Sequence, residues 1–393
     1  MNHFIQRAMP IAAMFAIAAC SSNAGTSTLP SGSGAGASLP AGAHSAPMFP
    51  MSSYHPACSG SRVNQAQCDA LVGPAVRPDV AGITAPEILQ AYNLKPTGGK
   101  GQIVAIVDAY DNPNAASDLA AYRSYFNIPA ATFTKYNQTG QTSNYPAGNS
   151  GWGLEEDLDI EMVSVGCPAC TIYLVEANSN NNGDLSAAEA EAVKLGATVV
   201  SNSYDGGPMV RSDFDQPGIT YVASAGDAGY GINYPASYDS VVSVGGTVLL
   251  TASGKRGYSE TIWRSSGAGC SSEAKPTWQK DPGCTNRTAN DVSAVAQEVA
   301  MYDTYSEGGW FTVAGTSISA PLIGGIFGEA GNSTKQNGGK KLWTKKAQKH
   351  LYPVLVGSDG SCNGSYLCTA GTGQYGNYSG PGGWGSPNGY KAF

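Results

Sequence analysis

Ser317 is the residue whose sequence surroundings best fit a nucleophile. It lies in the segment GTSISAP, residues 315–321, just before an apolar run that includes Leu322, Ile323 and Ile326. A turn of small residues that opens a helix leaves backbone N–H groups unpaired, and these groups can stabilise a developing negative charge. A serine hydroxyl is a weak nucleophile and also needs a neighbouring base. The alternative is that this segment has no catalytic role and only forms a cap, rich in serine and threonine, at the N-terminus of a buried helix.

The base that usually activates such a serine is missing. The chain has four histidines, at His3, His44, His55 and His350. None of them lies between residues 56 and 349, the stretch that holds the strand and helix patterns. If Ser317 is a nucleophile, its proton must go to another group, and we expect that group to be a carboxylate.

The segment GWGLEEDLDIEMVSVG, residues 151–166, supplies candidates for that carboxylate. Its apolar residues recur at helical spacing and predict one stripe, formed by Leu154, Leu158, Met162 and Val165. Glu155 and Asp159 are four residues apart beside that stripe, so their repulsion would raise one pKa and let them share a proton. Asp157 and Glu161 flank the other side with the same spacing, so geometry alone does not choose between the pairs. The alternative for all four is a solvated acidic face.

Apolar runs alternate with helical patterns along the chain, which predicts an α/β fold with a doubly wound, mostly parallel sheet flanked by helices. The predicted strands cover residues 101–109, 171–177, 197–204, 219–225 and 241–250, and the predicted helices cover residues 83–92, 118–127, 151–166 and 185–195. Asp108 closes the first strand, and Asp227 follows the fourth in the sequence SAGDAG. Sites in such folds form at the carboxyl ends of strands, although both residues also fit ordinary turns.

These segments together resemble the sedolisins, the serine-carboxyl peptidases, which keep a subtilisin-like fold and use Glu in place of the histidine. GTSISAP resembles the nucleophile motif that subtilisins and sedolisins share, and EEDLD, residues 155–159, fits the Glu-x-x-Leu-Asp motif of sedolisins. The resemblance runs from about residue 80 to the C-terminus. It implies that Ser317 is the nucleophile, with Glu155 as its base and Asp159 as the partner of Glu155. It also implies that a protonated Asp227 binds the oxyanion and makes Asp108 a candidate supporting carboxylate.

The function implied by this resemblance is that of a serine endopeptidase that hydrolyses protein or peptide substrates at acid pH. A net charge of −7 and the lack of a basic block argue against a nucleic-acid partner. We expect a monomer. A catalytically silent, surface-anchored binding protein on the same scaffold is one alternative. A neutral hydrolase of the subtilisin type is another, which the missing histidine disfavours.

No cofactor is expected to be required, because the calcium site that sedolisins usually carry near the C-terminus is degraded in this sequence. Pro353 and Ser379 stand where the resemblance places aspartates. Calcium prefers several anionic oxygens, so the loss of both carboxylates disfavours that site. Asp359 is a possible substitute ligand.

The nine cysteines predict an oxidising compartment. Eight of them form pairs that are close in sequence, for which we expect local disulfides: Cys58 with Cys68, Cys167 with Cys170, Cys270 with Cys284, and Cys362 with Cys368. Cys167 and Cys170 also fit a redox CxxC motif or half a zinc site, but no second CxxC or nearby histidine completes a metal set.

The ninth cysteine predicts a bacterial lipoprotein. Residues 8–19 form an apolar run that is too short to span a bilayer, and Cys20 follows in a sequence that resembles a lipobox. An ordinary signal peptide cut near Ala24 is the alternative. We therefore expect a signal peptide at residues 1–20, a tether and short lead-in at residues 21–78, and a peptidase domain at residues 79–393. The expected location is extracytoplasmic: the protein is either anchored by lipid in the cell envelope or secreted. For an anchored protein we expect the outer membrane, because a serine after the lipidated cysteine, here Ser21, is compatible with sorting to that membrane.

Overall fold

The computed structural model describes residues 49–60, 63–75, 80–130, 132–333 and 337–393. All of them fall within one compact unit of the chain. The predicted signal peptide, the predicted lipidation site Cys20 and the tether up to residue 48 lie outside the described residues. Within the described ranges, no helix has both the length and the apolar character needed to cross a membrane.

Strands and helices alternate between residues 85 and 202. The strands are β1 (His55–Pro56), β2 (Gln67–Cys68), β3 (Leu71–Ala75), β4 (Ile103–Ala109), β5 (Phe133–Asn137), β6 (Thr171–Ala177), β7 (Val199–Asn202), β8 (Tyr204–Asp205), β9 (Thr220–Ser224), β10 (Val241–Thr251), β11 (Tyr258–Ile262), β12 (Gly269–Cys270), β13 (Thr288–Ala289), β14 (Val292–Val295), β15 (Val299–Asp303), β16 (Gly309–Ala314), β17 (Leu351–Tyr352) and β18 (Ser386–Pro387). The helices are α1 (Ala85–Ala91), α2 (Ala115–Tyr125), α3 (Ser150–Gly166), α4 (Asn182–Lys194), α5 (Thr316–Ala330) and α6 (Lys345–Gln348).

The central sheet has the strand order β11-β10-β9-β7-β4-β6-β5, and β14 also pairs with β10. Every neighbouring pair in it is parallel except β10 with β11. Helices lie on both faces, because successive side chains of a strand point to opposite sides. Val104 and Ile106 of β4 share a core with α3 and α5, while Ala105 and Val107 share a core with α4. The predicted α/β fold, with a doubly wound, mostly parallel sheet, is therefore confirmed.

Two predicted helices begin earlier than expected. The helix predicted at residues 118–127 is α2, Ala115–Tyr125, and the helix predicted at residues 185–195 is α4, Asn182–Lys194. In both, the first turn consists of small or polar residues. Such residues add nothing to an apolar pattern, so the pattern alone starts too late.

The described part of the predicted lead-in, residues 49–60 and 63–75, packs into this same unit. β1 pairs with β3, and β3 pairs with β16 in a second sheet ordered β1-β3-β16-β15. β2 pairs with β8 in a separate two-stranded ladder. The boundary predicted at residue 79 stays a prediction, but the chain before it contributes strands to the fold.

The four local disulfides occur as predicted, and they join Cys58 to Cys68, Cys167 to Cys170, Cys270 to Cys284, and Cys362 to Cys368. Cys167 and Cys170 join the end of α3 to the start of β6. Their disulfide removes the thiols that a zinc site would need.

Candidate active site

Helix α3 carries Glu155 and Asp159 into the interior of the protein. The helix begins after Asn149, whose side-chain oxygen accepts hydrogen bonds from the backbone N–H groups of Gly151 and Trp152. From Trp152 to Gly166 every residue of α3 is buried. Glu155 and Asp159 both have 0% of their surface exposed. The acidic face of this helix is therefore not solvated.

Ser317 lies at the start of α5 and is also 0% exposed. Burial raises the pKa of Glu155, and an interaction with the Ser317 side chain acts in the opposite direction and lowers it. The hydroxyl is thus next to the carboxylate, although no hydrogen bond of ordinary geometry joins them. In this structure the Ser317 hydroxyl donates to the carbonyl oxygen of Ser203 at 3.3 Å.

The carbonyl oxygen of Ser317 also faces Ser203, for a reason that is visible in the sequence. Pro321 is the residue whose N–H would normally bond to that carbonyl within α5, and proline has no N–H. The Ser203 hydroxyl approaches the Ser317 carbonyl oxygen at 3.5 Å instead. Ser203 therefore contacts the first turn of the helix that presents the candidate nucleophile.

Asp108 joins Glu155 and Asp159 as a third buried carboxyl group. It lies on the same face of β4 as Val104 and Ile106, which is the face covered by α3 and α5. Burial raises the pKa of Asp108 well above its usual range, and the nearby charge of Asp159 raises it further. The structure thus brings Asp108 to the carboxylate pair, where a supporting group would have to be.

Burial also raises the pKa of Glu155, and the charges of Asp159 and Asp108 add to that effect. The pKa of Asp159 is raised by burial and lowered by the Ser203 side chain. Three adjacent carboxyl groups without bulk water cannot all ionise, so they retain and share protons. This arrangement can accept and return a proton within reach of Ser317.

The geometry separates the two acidic pairs that the spacing left equivalent. Glu155 is influenced by Ser317, while Glu161 accepts a hydrogen bond from the Tyr302 N–H at 3.2 Å, on β15. Asp157 is influenced by Asp303 and Asp118, which lie on β15 and α2. Asp157 and Glu161 therefore face away from the candidate nucleophile.

Asp227 lies beside the residue that precedes Ser317. Its Oδ1 atom accepts hydrogen bonds from the N–H group of Thr316 at 2.8 Å and from the Thr316 hydroxyl at 2.9 Å. Its Oδ2 atom is buried and has no hydrogen-bond partner among the described residues. Burial raises the pKa of Asp227 to about 8. The hydrogen bonds from Thr316 act to lower this pKa, and the charge of Asp205 raises it further. A protonated Asp227 could donate a hydrogen bond from Oδ2, which is the chemistry expected of an oxyanion-binding carboxyl group.

The chain's own residues Gln67–Ala70, which we call the docked segment, lie across Ser317. Gln67 and Cys68 pair antiparallel with Asp205 and Tyr204. The N–H group of Asp69 donates to the Ser203 carbonyl oxygen at 3.1 Å, and the Asp69 carbonyl oxygen accepts from the N–H group of Ser317 at 3.3 Å. The peptide bond after Asp69 thus lies against the helix N-terminus that holds the candidate nucleophile.

Gly315 makes this close approach possible. Its φ angle is +145°, and a Cβ atom at this position would lie 2.1 Å from the carbonyl oxygen of Asp69 and 2.9 Å from Oδ2 of Asp227. Any side chain would therefore collide with the docked backbone. The Asp69 carbonyl oxygen and the unpartnered oxygen of Asp227 border the same small space.

The side chain of Asp69 occupies a buried pocket beside β9. Its Oδ2 atom accepts a hydrogen bond from the Ser224 hydroxyl at 2.6 Å. Burial raises the pKa of Asp69 well above its usual range, and the charges of Asp205 and Asp227 raise it further. Docking of this side chain therefore favours its protonated form.

Sequence reasoning did not find Asp69, Ser203 or Asp205 as site residues. Asp69 and Ser203 meet only through pairing between segments more than a hundred residues apart, which local patterns do not reveal. It also missed the buried Glu156 and Glu176. Glu176 forms an ion pair with Lys135 at 3.0 Å, so one basic side chain lies next to the acidic interior.

The residues at the degraded family calcium site do not gather carboxylates. The Ser379 hydroxyl accepts from the Gly382 N–H group at 3.2 Å. The backbone of Asp359 bonds to Cys368 and Tyr230, and no described contact links it to Pro353 or Ser379. Calcium at this site does not fit these residues, and the expectation that no cofactor is required stays a prediction.

Fold and site together define a subtilisin-like α/β protein with a serine and several carboxyl groups in its candidate site. The chain belongs to the subtilase family, whose profile matches residues 134–354. The predicted resemblance to the sedolisins is confirmed as a similarity to two curated relatives. Kumamolisin of Bacillus sp. (strain MN-32) is 29% identical over 289 residues, which cover 62% of this chain and 51% of that protein. Sedolisin of Pseudomonas sp. (strain 101) is 24% identical over 306 residues, which cover 66% of this chain and 51% of that protein.

The solved structure of a Pseudomonas sedolisin, described as a serine-carboxyl proteinase in complex with two molecules of pseudo-iodotyrostatin, has the same fold. The two structures superpose with a TM-score of 0.66 at 23% identity, over 79% of this chain and 96% of that one. At this identity the likeness shows the fold alone. The chain spans about half the length of the two curated relatives.

The raised pKa values predict that the protein is more stable in acid than at neutral pH. The pKa of Asp227 and the pKa of Asp359 are each raised to about 8, whereas an aspartate in an unfolded chain titrates near pH ~4. Between these values the folded protein keeps protons that the unfolded chain has lost, so the free energy of unfolding falls as pH rises. We expect the calorimetric melting temperature of the Ser317→Ala protein, which excludes self-digestion, to fall from about pH 4 to about pH 8.

Asp227→Asn and Asp359→Asn remove one titrating group each. Either change should make this pH dependence less steep, and the exposed Asp215→Asn serves as a control that should leave it unchanged. A melting temperature that rises over the same range would contradict the assignment of raised pKa values.

Proposed function

We propose that this protein is a serine endopeptidase that hydrolyses protein or peptide substrates with Ser317, Glu155 and Asp159. The observation that carries the proposal is the docked segment. A peptide backbone lies in extended form along residues 203–205, with a carbonyl oxygen on the N–H group of Ser317. A protein substrate could bind in the same way, through main-chain hydrogen bonds to residues 203–205 and to the N–H group of Ser317.

In the proposed reaction, the Ser317 hydroxyl oxygen attacks the carbonyl carbon of the scissile bond while Glu155 takes the hydroxyl proton. The negative charge that develops on the carbonyl oxygen is stabilised by the N–H group of Ser317 and by a proton held on Asp227. Glu155 then gives its proton to the leaving amine, and water releases the acyl group by the same steps in reverse. Asp159 orients Glu155 and shares its proton, with Asp108 behind it.

The protonation states required of these groups support an acid optimum. Asp227 must keep its proton, whereas Glu155 must be able to lose one. The docked segment excludes water from the site, so its departure rehydrates Glu155 and Asp227 and brings both pKa values closer to their ordinary range. Activity should then be confined to the acid side of neutrality.

An extracytoplasmic location is part of the proposal. The four disulfides support an oxidising compartment. Lipid anchoring through Cys20 and a monomeric state remain predictions.

The first test is hydrolysis of a denatured protein substrate by the purified protein, measured from about pH 3 to about pH 8. We expect serine-dependent activity with an acid optimum and a loss of at least about 1,000-fold in kcat/KM for Ser317→Ala. Glu155→Gln should lose about 100-fold or more because it cannot take the proton. Glu189→Gln, a buried carboxylate that contacts Tyr204 instead of Ser317, is the matched control and should keep its activity.

Two results would overturn this assignment. Activity that is restricted to neutral pH would rule out a carboxylate base. A folded protein without serine-dependent activity at any pH, after release of the docked segment, would favour the catalytically silent binding protein.

The docked segment itself leads to a second prediction. The peptide bond between Asp69 and Ala70 is presented to Ser317, so the active protein should cut it in acid and release a new N-terminus that begins at Ala70. Both cysteines of the Cys58–Cys68 disulfide lie on the N-terminal side of this bond, so no disulfide among the described residues joins the two products. Intact-mass spectrometry should find the fragment Ala70–Phe393 in the wild-type protein and not in Ser317→Ala.

The control for this cleavage is Gln65→Ala, which alters a nearby side chain outside the docked segment and should still be cut. A wild-type protein that digests added substrates while the bond after Asp69 stays intact would contradict the prediction.

A further inference from the structure

A second group of buried acids lies on the side of α3 that faces away from Ser317. Asp118 of α2, Asp157 of α3 and Asp303 at the end of β15 each offer one oxygen, and these oxygens all lie within 4.8 Å of one another. The three residues are 2%, 1% and 0% exposed. Three elements of the fold therefore bring carboxylates to one enclosed point.

Two of these carboxylates are held in place from behind. The N–H group of Thr304 donates to Asp118 Oδ2 at 2.8 Å, and the Thr304 hydroxyl lies 2.8 and 2.9 Å from the two Asp118 oxygens. The N–H group of Ser306 donates to Asp303 Oδ1 at 2.8 Å, and the Ser306 hydroxyl donates to Asp303 Oδ2 at 2.6 Å. These donors belong to the turn after β15. Each carboxylate oxygen has two lone pairs, so these bonds orient the groups and leave them able to accept another partner.

Asp157 provides a second, independent observation that points to a ligand at this group. Both of its oxygens are buried, and neither accepts a hydrogen bond of ordinary geometry from a described residue, although the nearby Asn112 side chain lowers the pKa of Asp157 against the larger effect of burial. Buried polar atoms are normally satisfied, and a pair of unsatisfied carboxylate oxygens is costly. One of these two oxygens lies within 4.8 Å of an oxygen of Asp118 and of an oxygen of Asp303.

The described part of the chain gives this group no ion pair that would balance its charge. Among the described residues, no ion pair includes Asp118, Asp157 or Asp303. The neighbouring Glu161 adds a fourth carboxylate, and its Oε1 atom is also buried without a partner. The pKa of Asp157 is raised by burial and then by the charges of Asp303 and Asp118, so the group attracts either protons or a cation.

The donor set fits a hard divalent cation. All the candidate ligand atoms are carboxylate oxygens, which suit calcium, and no histidine or cysteine belongs to the group. Calcium binds oxygens at about 2.3–2.6 Å, so ligands on opposite sides of the ion are about 5 Å apart. Oxygens that all lie within 4.8 Å of one another can therefore share one ion.

We propose that Asp118, Asp157 and Asp303 bind one Ca²⁺ ion, with Glu161 available as a fourth carboxylate. The ion connects α2, α3 and β15. Because α3 also carries Glu155 and Asp159 on its other side, the ion fixes the helix that positions the candidate base. The site is separate from the degraded one at Pro353 and Ser379, and it does not depend on the proposed peptidase activity.

The test is calcium binding by the Ser317→Ala protein, which cannot digest itself, at neutral pH after removal of metals with EDTA. We expect isothermal titration calorimetry with CaCl₂ to show one binding site, and we expect calcium to raise the melting temperature by mass action. Asp157→Asn should weaken binding at least about 10-fold, because one anionic ligand is lost. Glu189→Gln is the matched control: it also removes a buried carboxylate, one oxygen of which has no hydrogen-bond partner among the described residues, but it lies outside the group and should bind calcium normally.

A second readout separates a binding role from a merely structural one. In the absence of calcium, Asp157→Asn should raise the melting temperature at neutral pH, because it removes like-charge repulsion, and it should abolish the stabilisation by calcium. If Asp157→Asn does not fold, Asp303→Asn and terbium luminescence excited through Tyr122, which lies near Glu161, provide the same comparison. The proposal is overturned if the parent protein binds no calcium, or if Asp157→Asn and Asp303→Asn bind it as well as the parent does.

Discussion

The burial of helix α3 is the constraint on which the rest of this structure depends. Five of its residues are acidic (Glu155, Glu156, Asp157, Asp159 and Glu161), and each has at most 1% of its surface exposed. A buried carboxylate is stable only if it is protonated, paired or bound to a cation. The surroundings of the helix differ from side to side, so the acids are satisfied in different ways. Glu155 and Asp159 meet Ser317, Ser203 and Asp108, while Glu156 lies near Glu176 and Lys135.

The docked segment adds a second layer to this arrangement. It closes the site with backbone hydrogen bonds to residues 203–205 and to the N–H group of Ser317, and it places a third carboxyl group, Asp69, near Asp205 and Asp227. Each of these aspartates has a raised pKa, and burial is the largest cause for each. Occupancy of the site and its proton content are therefore linked. A peptide that excludes water makes Asp227 hold its proton more strongly, which is the state needed to donate to an oxyanion.

The sequence was most informative where chemistry and local pattern coincide. The strand that ends at Asp108, the helix that carries Glu155 and Asp159, and the helix start at Ser317 could all be predicted, because each has a continuous apolar or periodic signal. Because no histidine lies between residues 56 and 349, a carboxylate was the expected base. The pairing of Glu155 with Asp159, instead of Asp157 with Glu161, was implied by resemblance, since both pairs have the same spacing.

What the sequence could not predict are contacts between distant segments. The pairing of β3 with β16 and the docking of Asp69 on Ser203 and Ser317 join parts of the chain that no local pattern connects. The sequence pattern also did not predict that all sides of α3 are buried. Its single apolar stripe is typical of a surface helix, and only the packing of α2, α5 and β15 around it places Asp157 and Glu161 in the interior.

The two sides of α3 explain why one helix can carry so many acids. Residues two positions apart on a helix point about 200° apart, so Glu155 and Asp157 face nearly opposite directions. Protons can satisfy the side at Ser317, because a proton that moves between Glu155 and Asp159 is what the proposed reaction uses. On the other side, a resident cation would satisfy Asp157 without any proton exchange. The proton shared by Glu155 and Asp159 and the cation at Asp157 would then lie on opposite sides of one helix. The site could gain and lose protons while the bound cation holds the helix in place.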